Sequence, residues 1–169
     1  MRQRSTVPWT AALLIAVVLA VSAAALGAAN RGERAPDFTL NGLDGRPVTL
    51  SAALQQRVIV LGLFHICDPC RKQGVELQQI AAAYAAKGVG VIGVNTTGDS
   101  EKTVREFLAS FPIRVSYPYL LDPGRELERS YQVRMTPSVV IIDRTGTIRF
   151  RSAFAPAALI RQKLDEILG

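Results

Sequence analysis

Cys67 and Cys70 are the only cysteines among 169 residues, and they stand three positions apart in the run Cys67-Asp68-Pro69-Cys70. A bridge between them closes almost no loop, and the chain-entropy contribution of a disulfide grows with the loop it closes. Such a bridge does little to hold a fold. The pair therefore reads as a chemical device, a dithiol that cycles between oxidised and reduced forms.

The flanking residues say how that pair is presented. Upstream, Val58-Ile59-Val60-Leu61-Gly62-Leu63-Phe64 is a β-branched and apolar run, the pattern of a strand buried on both faces. Downstream, Leu77, Ile80, Ala81 and Tyr84 repeat at helical spacing until Lys87-Gly88. The cysteines thus sit where a strand hands over to a helix, with Pro69 in the first turn, where a missing N–H is harmless. Cys67 is expected at the helix N-terminus, where free N–H groups and the positive end of the dipole favour thiolate over thiol. Cys70 is expected one turn in and more buried. Those positions assign attack to Cys67 and resolution to Cys70.

The rest of the chain supplies elements to hold this junction. Ala35–Leu40 and Arg46–Leu50 read as extended pieces around the turn Asn41–Gly45. Val89–Val94 is a second apolar strand. Asp99 or Ser100 can cap a helix with Val104, Phe107, Leu108 and Phe111 inward, ending before Pro112. Tyr119–Leu121 is extended, and Gly124–Tyr131 holds a turn or two of helix. Val139–Ile142 and Thr147–Phe150 flank Asp143-Arg144-Thr145-Gly146 as a hairpin with glycine at the position that wants positive φ. Pro156 opens a last helix carrying Leu159, Ile160, Leu164, Ile167 and Leu168. This order describes an α/β domain, a central mixed sheet with helices on both faces.

At the front of the chain no charged residue occurs between Arg4 and Arg31, and Ala11–Ala29 is almost wholly Ala, Leu, Ile and Val. That is about the 20 residues a helix needs to span a bilayer. Arg2 and Arg4 precede it, which by the positive-inside rule leaves residues 1–10 as a cytoplasmic basic tail and the remainder outside. A cleaved signal peptide competes with an uncleaved anchor, because Ala23-Ala24-Ala25 and Ala28-Ala29 offer small-residue cleavage sites. The expected organisation is a basic tail 1–10, a transmembrane anchor or signal segment 11–29, a linker 30–34 and a domain 35–169. Two of the six net positive charges belong to Arg2 and Arg4, and the other basic residues are interleaved with acidic ones. That is a solvated surface and not a nucleic-acid footprint. Export exposes the dithiol to an oxidising compartment, where it stays closed unless something reduces it.

The strand–Cys-x-x-Cys–helix order, with Met135-Thr136-Pro137-Ser138 just before Val139, resembles the thioredoxin fold and its cis-proline segment. Ala35-Pro36-Asp37-Phe38, Asp143-x-x-Gly146 and the exported layout are most similar to the TlpA/ResA type of membrane-tethered thiol–disulfide oxidoreductase. The resemblance covers roughly Ala35 to Gly169. It implies disulfide exchange with protein partners and a membrane or extracytoplasmic redox partner, no cofactor, and for some members a reductase role in cytochrome c maturation. It further implies that Thr136 and Pro137 face the dithiol and bind substrate through a cis Thr136–Pro137 bond. The family usually has Trp before the first cysteine, where Leu63-Phe64-His65-Ile66 stands here. It often has a proton-accepting Glu three residues past the second cysteine, where Gln73 stands. Asp68 or Glu76 is the available acidic substitute. His65, Asp68, Pro69, Gln73 and Glu76 are thus the candidate tuning residues: a charged His65 would lower the Cys67 pKa, and the Asp68 anion would raise it.

Three other readings compete. A pair of core thiols or an inert bridge is the plain one, and His65 equally suits ordinary packing at a strand end. A copper-binding or chaperone protein would use His65, Cys67 and Cys70, with Met135 near, a soft donor set suited to Cu(I). A peroxiredoxin-like peroxidase shares the fold and the Ala-Pro-Asp-Phe opening, but it needs Thr or Ser three residues before its reactive cysteine. Phe64 holds that position.

Overall fold

The computed structural model describes residues 29–169. The basic tail and nearly all of the expected membrane segment lie outside the described residues. Ala29, the last residue of that segment, is fully buried in the domain. Among the described residues no helix is long and apolar enough to cross a membrane.

A five-stranded mixed sheet forms the centre, in the order β5 (Tyr119–Leu121), β4 (Val89–Asn95), β3 (Val58–Phe64), β6 (Ser138–Ile142) and β7 (Ile148–Ser152). β3 runs parallel to β4 and antiparallel to β6. All seven residues of β3 are buried, which explains the unbroken apolar run. Its alternate side chains build two different cores. Val58, Val60 and Phe64 pack with Leu77, Ile80 and Tyr84 of α2 (Asp68–Tyr84) and with Ile160 and Leu164 of α5 (Ala157–Leu168). Val104 and Phe107 of α3 (Glu101–Ala109) join the same core. Ile59, Leu61 and Leu63 face the other way, against Leu50 of α1 (Leu50–Ala53) and Leu127 of α4 (Glu126–Ser130). The thioredoxin-like mixed sheet flanked by helices is as expected.

Gly62 is a position in β3 where α2 leaves no room for a side chain. A Cβ there would lie 2.5 Å from Leu77 Cδ1 and 2.6 Å from the Phe64 ring. The missing side chain therefore lets the helix that carries both cysteines lie directly on the strand that leads to them.

The opening hairpin pairs β1 (Thr39–Asn41) with β2 (Pro47–Thr49), shorter than the sequence suggests. Residues 30–34, expected as a linker, instead run along the outer edge of β7. Gly32 N–H donates to Ile148 O, Ile148 N–H to Glu33 O and Ala35 N–H to Gly146 O. Arg151 adds a bond from Nη1 to Ala29 O at 2.6 Å. The chain thus enters the domain already fastened to it, and the sheet edge is covered.

The β6–β7 turn is closed by Gly146 at φ +83°, the left-handed conformation its place in the sequence calls for. Asp143 organises it. Its Oδ1 accepts from Thr145 N, Thr147 N and the Thr145 hydroxyl, and its Oδ2 pairs with Arg149. Burial pushes the carboxyl pKa up, but the bonds from Thr145, Thr147 and Arg149 outweigh it and hold the value at about 2. Against an unfolded value near 3.9, ionised Asp143 contributes about 2–3 kcal/mol. The folded value is the lower one, so this stability is present above about pH 4 and is lost as pH falls from 4 toward 2. Urea midpoints measured between pH 2 and 7 should fall along that limb. In Asp143→Asn the midpoint should be lower at neutral pH and the limb flatter; an equally steep limb would assign the acid sensitivity to other carboxylates.

Candidate active site

Cys67 is the N-cap of α2, in extended conformation, and its Sγ accepts a hydrogen bond from Cys70 N at 3.2 Å. Asp68 and Pro69 follow in the first turn, both exposed, and the apolar face of the helix begins with Cys70. The two cysteines are joined in a disulfide with a Cα separation of 5.1 Å, within the ordinary range for such a bond. Cys67 is half-buried, whereas Cys70 is 0% exposed. Outside attack on the bridge therefore meets Cys67. Opened, the pair would have one sulfur at a helix N-terminus facing solvent and one in the core, an arrangement that can exchange disulfides.

The candidate tuning residues separate. His65 N–H lies against Cys70 Sγ at 3.5 Å, while its ring turns to Thr97 Oγ1, 3.2 Å from Nδ1. Asp68 pairs with Arg71 on the outer face of α2. Gln73, fully buried, forms a two-bond ring with Ala155: Nε2 donates to its carbonyl at 2.9 Å, and Oε1 accepts from its N–H at 2.7 Å. Glu76 Oε2 accepts from Ala157 N at 2.7 Å, at the start of α5. Asp68 and Glu76 thus have partners other than the sulfurs. Among the described residues no group of three or more His, Cys, Asp or Glu side chains is placed to hold a metal ion.

The Thr136–Pro137 bond is cis, Pro137 is buried and Thr136 half-buried. Ser138 pairs with Leu63 in the β3–β6 register, so Pro137 stands beside the end of β3 from which the cysteine loop departs. The two segments that the resemblance joins are thus at the same end of the sheet.

Thr97 and Asp99 belong to this neighbourhood as well, although Asp99 reads from sequence only as a possible helix cap. Ser100 takes that role, its Oγ accepting from Thr103 N at 3.2 Å, and Asp99 is left free to face His65 at 3.9 Å. The available signal was topological. β3 and β4 are adjacent parallel strands, and sites in α/β sheets gather beyond their carboxyl ends.

The profile of the AhpC/TSA redoxin family matches residues 31–151, most of the described domain. The chain belongs to that family. Thioredoxin-like protein YneN of Bacillus subtilis is 32% identical over 120 residues, covering 70% of this chain and 68% of that protein. Thiol-disulfide oxidoreductase ResA of Halalkalibacterium halodurans is 28% identical over 120 residues, covering 71% and 66%. The matched segment thus spans about two thirds of each relative. Among solved structures, a Chlorobium tepidum protein assigned as thiol:disulfide interchange protein DsbE superposes with a TM-score of 0.74 at 32% identity, over 83% of this chain and 99% of that one. Within this AhpC/TSA fold the position a peroxidase needs for a hydroxyl is filled by Phe64, which is buried and stacked on Tyr119 with ring centroids 5.7 Å apart.

Proposed function

We propose that this AhpC/TSA-family chain is an exported, membrane-anchored thiol–disulfide oxidoreductase that exchanges disulfides with protein partners. The oxidoreductase class rests on one observation above all: a half-buried Cys67 sulfur at the N-terminus of α2, bonded to a fully buried Cys70. The ResA and DsbE relatives support the same class. Cys67 attacks, a mixed disulfide forms, and Cys70 releases the partner. Phe64 in place of a hydroxyl speaks against the peroxidase reading.

Protein partners are favoured by the surface around the bridge. Large exposed apolar side chains are few among the described residues, and two of them are Met135, 64% exposed beside Thr136, and Phe154, 41% exposed beside Ala155. The loops carrying them flank the cysteine end, one through the β3–β6 register and the other through the Gln73–Ala155 ring. We assign Thr136 and Pro137 to the same docking edge, where an extended partner segment adds to the sheet. Export and anchoring rest on the uncharged run Ala11–Ala29 behind Arg2 and Arg4. For such an enzyme the resemblance favours delivery of reductant to apocytochrome cysteines.

Two measurements test this reading. Equilibration with a graded dithiothreitol or glutathione series should show one two-electron transition between disulfide and dithiol; absence of exchange would overturn the activity. A reporter active only outside the cytoplasm, fused after Gly169, should be active in a membrane fraction. A soluble exported form beginning near Asn30 would mean a cleaved signal, and activity of a cytoplasm-only reporter would overturn export.

A further inference from the structure

The chain enters the domain at one identifiable end. Gly32 N–H donates to Ile148 O at 2.8 Å, Arg34 bridges Thr147, and Ala35 N–H donates to Gly146 O at 2.8 Å. Residues 30–35 therefore run antiparallel to β7, toward the β6–β7 turn. Followed backwards they lead to the Ser152 end of β7. That is also the end of the sheet where Ser138 pairs with Leu63 and the cysteine loop departs.

Ala29 is fastened there. It is 0% exposed, and its carbonyl accepts from Arg151 Nη1 at 2.6 Å, while Nη2 of the same guanidinium donates to Gln132 O at 3.2 Å. Asn30 N–H donates to Glu33 Oε2 at 2.9 Å and adds to the fastening. The uncharged run left for a bilayer thus ends at Ala28, with no linker before the domain. It still offers the roughly 20 residues a span needs. An extended residue covers at most about 3.6 Å, so in an anchored chain the bilayer surface lies close to Ala29.

The surface beside that entry is basic. Two depressions meet there and share Gln132 and Arg134. One is lined by Asn30, Arg151, Met135 and Ser138, and so joins the entry point to the docking edge. The other reaches Arg125 and Arg129. Among the described residues Glu128 is the one acidic side chain lining either depression, and it pairs with Arg125. Arg129 and Arg151 bond carbonyl oxygens, which leave a guanidinium charge uncompensated. Four arginines thus meet one glutamate on this face.

We propose that this arginine face rests on the anionic phospholipid headgroups of the membrane that anchors the chain, and so holds the dithiol end of the domain toward the bilayer. The proposal rests on the anchored reading. Two independent observations converge on it. The fastening of Ala29 leaves no free tether about which the domain could turn over, and the face next to it carries the charge that an anionic lipid surface attracts. Guanidinium forks also match phosphate oxygens in geometry. Met135 and Thr136 then open just above the headgroups, so that a partner segment reaches them along the membrane. The turn at Asp143–Gly146, at the opposite end of β6 and β7, points away from it.

The test uses the full chain in lipid nanodiscs that carry gadolinium chelated on a fraction of the headgroups. Met1 and Met135 are the two methionines, so methyl-labelled methionine reports on the face directly. In discs of mixed phosphatidylcholine and phosphatidylglycerol, the relaxation enhancement at the Met135 methyl should exceed that at the Gly146 amide by at least about fivefold, the preference that one basic residue contributes at an anionic surface. The excess should shrink in pure phosphatidylcholine and at high salt, which screens exposed charges. Arg129→Gln combined with Arg134→Gln should shrink it in the anionic discs. Equal enhancement at the two ends, or a larger one at Gly146, would overturn the proposal, as would an excess indifferent to lipid charge, salt and both substitutions. If the substitutions leave the relaxation pattern alone but slow exchange with protein partners, the face serves an acidic partner and the lipid assignment falls. A chain that elutes apart from the discs would instead sink the anchored reading itself.

Discussion

A Cys70→Ser chain should accumulate as mixed disulfides with its protein partners, and a Cys67→Ser chain should form none. The asymmetry follows from where one short helix start places the two sulfurs. Cys67 is half-buried at the N-cap, where Cys70 N–H already points at its sulfur at 3.2 Å. Cys70 is 0% exposed, packed with Leu77 and Ile80 on the sheet side of α2. A partner's sulfur can approach the first and not the second without opening the helix. Once Cys67 has formed the mixed bond, only Cys70 is poised to break it, so replacing it by serine traps the intermediate. Loss of Cys67 should lower exchange by at least about a hundredfold, because serine is no nucleophile at neutral pH without a base to activate it. In the reduced chain, limiting iodoacetamide should label Cys67 before Cys70. Faster labelling of Cys70, or trapped complexes in Cys67→Ser, would reverse the roles.

What could be read ahead of the structure divides by the range of the interactions. β3 and α2 announce themselves because each buries a periodic face, and periodicity is visible in a window of a dozen residues. The cysteine pair follows from the same local signals, since the strand, Pro69 and the helical repeat together fix the junction. α1 was invisible because four residues hold no repeat. Residues 30–34 read as a linker because Asn30, Arg31, Gly32, Glu33 and Arg34 are polar; their pairing with β7 runs through backbone groups, which carry no side-chain signature. Asp99 was ambiguous for a related reason. A carboxylate and a hydroxyl side by side both suit a cap, and only the fold shows that Ser100 takes the helix while Asp99 turns to His65. Gln73 is the hardest case. Its partner lies 82 positions along the chain, and the bond is to main chain, which every residue has.

That bond makes Gln73 the residue outside the cysteines with the largest expected consequence. Its amide is fully buried one turn beyond Cys70, and both of its polar atoms are used, one as donor to Ala155 O and one as acceptor from Ala155 N. The ring ties α2 to the β7–α5 loop, next to the Glu76 carboxylate that accepts from Ala157 N. Gln73→Leu keeps much of the volume but leaves a buried N–H and a buried C=O without partners. At about 1–3 kcal/mol for each orphaned group, the loss is about 2–6 kcal/mol. That is a large share of the 5–15 kcal/mol of a typical domain, and it should lower the thermal midpoint by roughly 10 °C. Gln73→Glu separates the donor from the acceptor. One carboxyl oxygen can still accept from Ala155 N–H, but the other faces a carbonyl and can bond it only when protonated. The native state should therefore hold that proton above the ordinary glutamate range near 4.3. The folded value is then the raised one, so the variant should be nearly as stable as the parent chain below about pH 4 and lose stability as pH rises through the native value. Calorimetric midpoints for Gln73→Glu between pH 3 and 8 read the difference. A midpoint that is flat across that range, or that rises with pH, would show that the carboxyl has turned away from Ala155 and that the ring is dispensable.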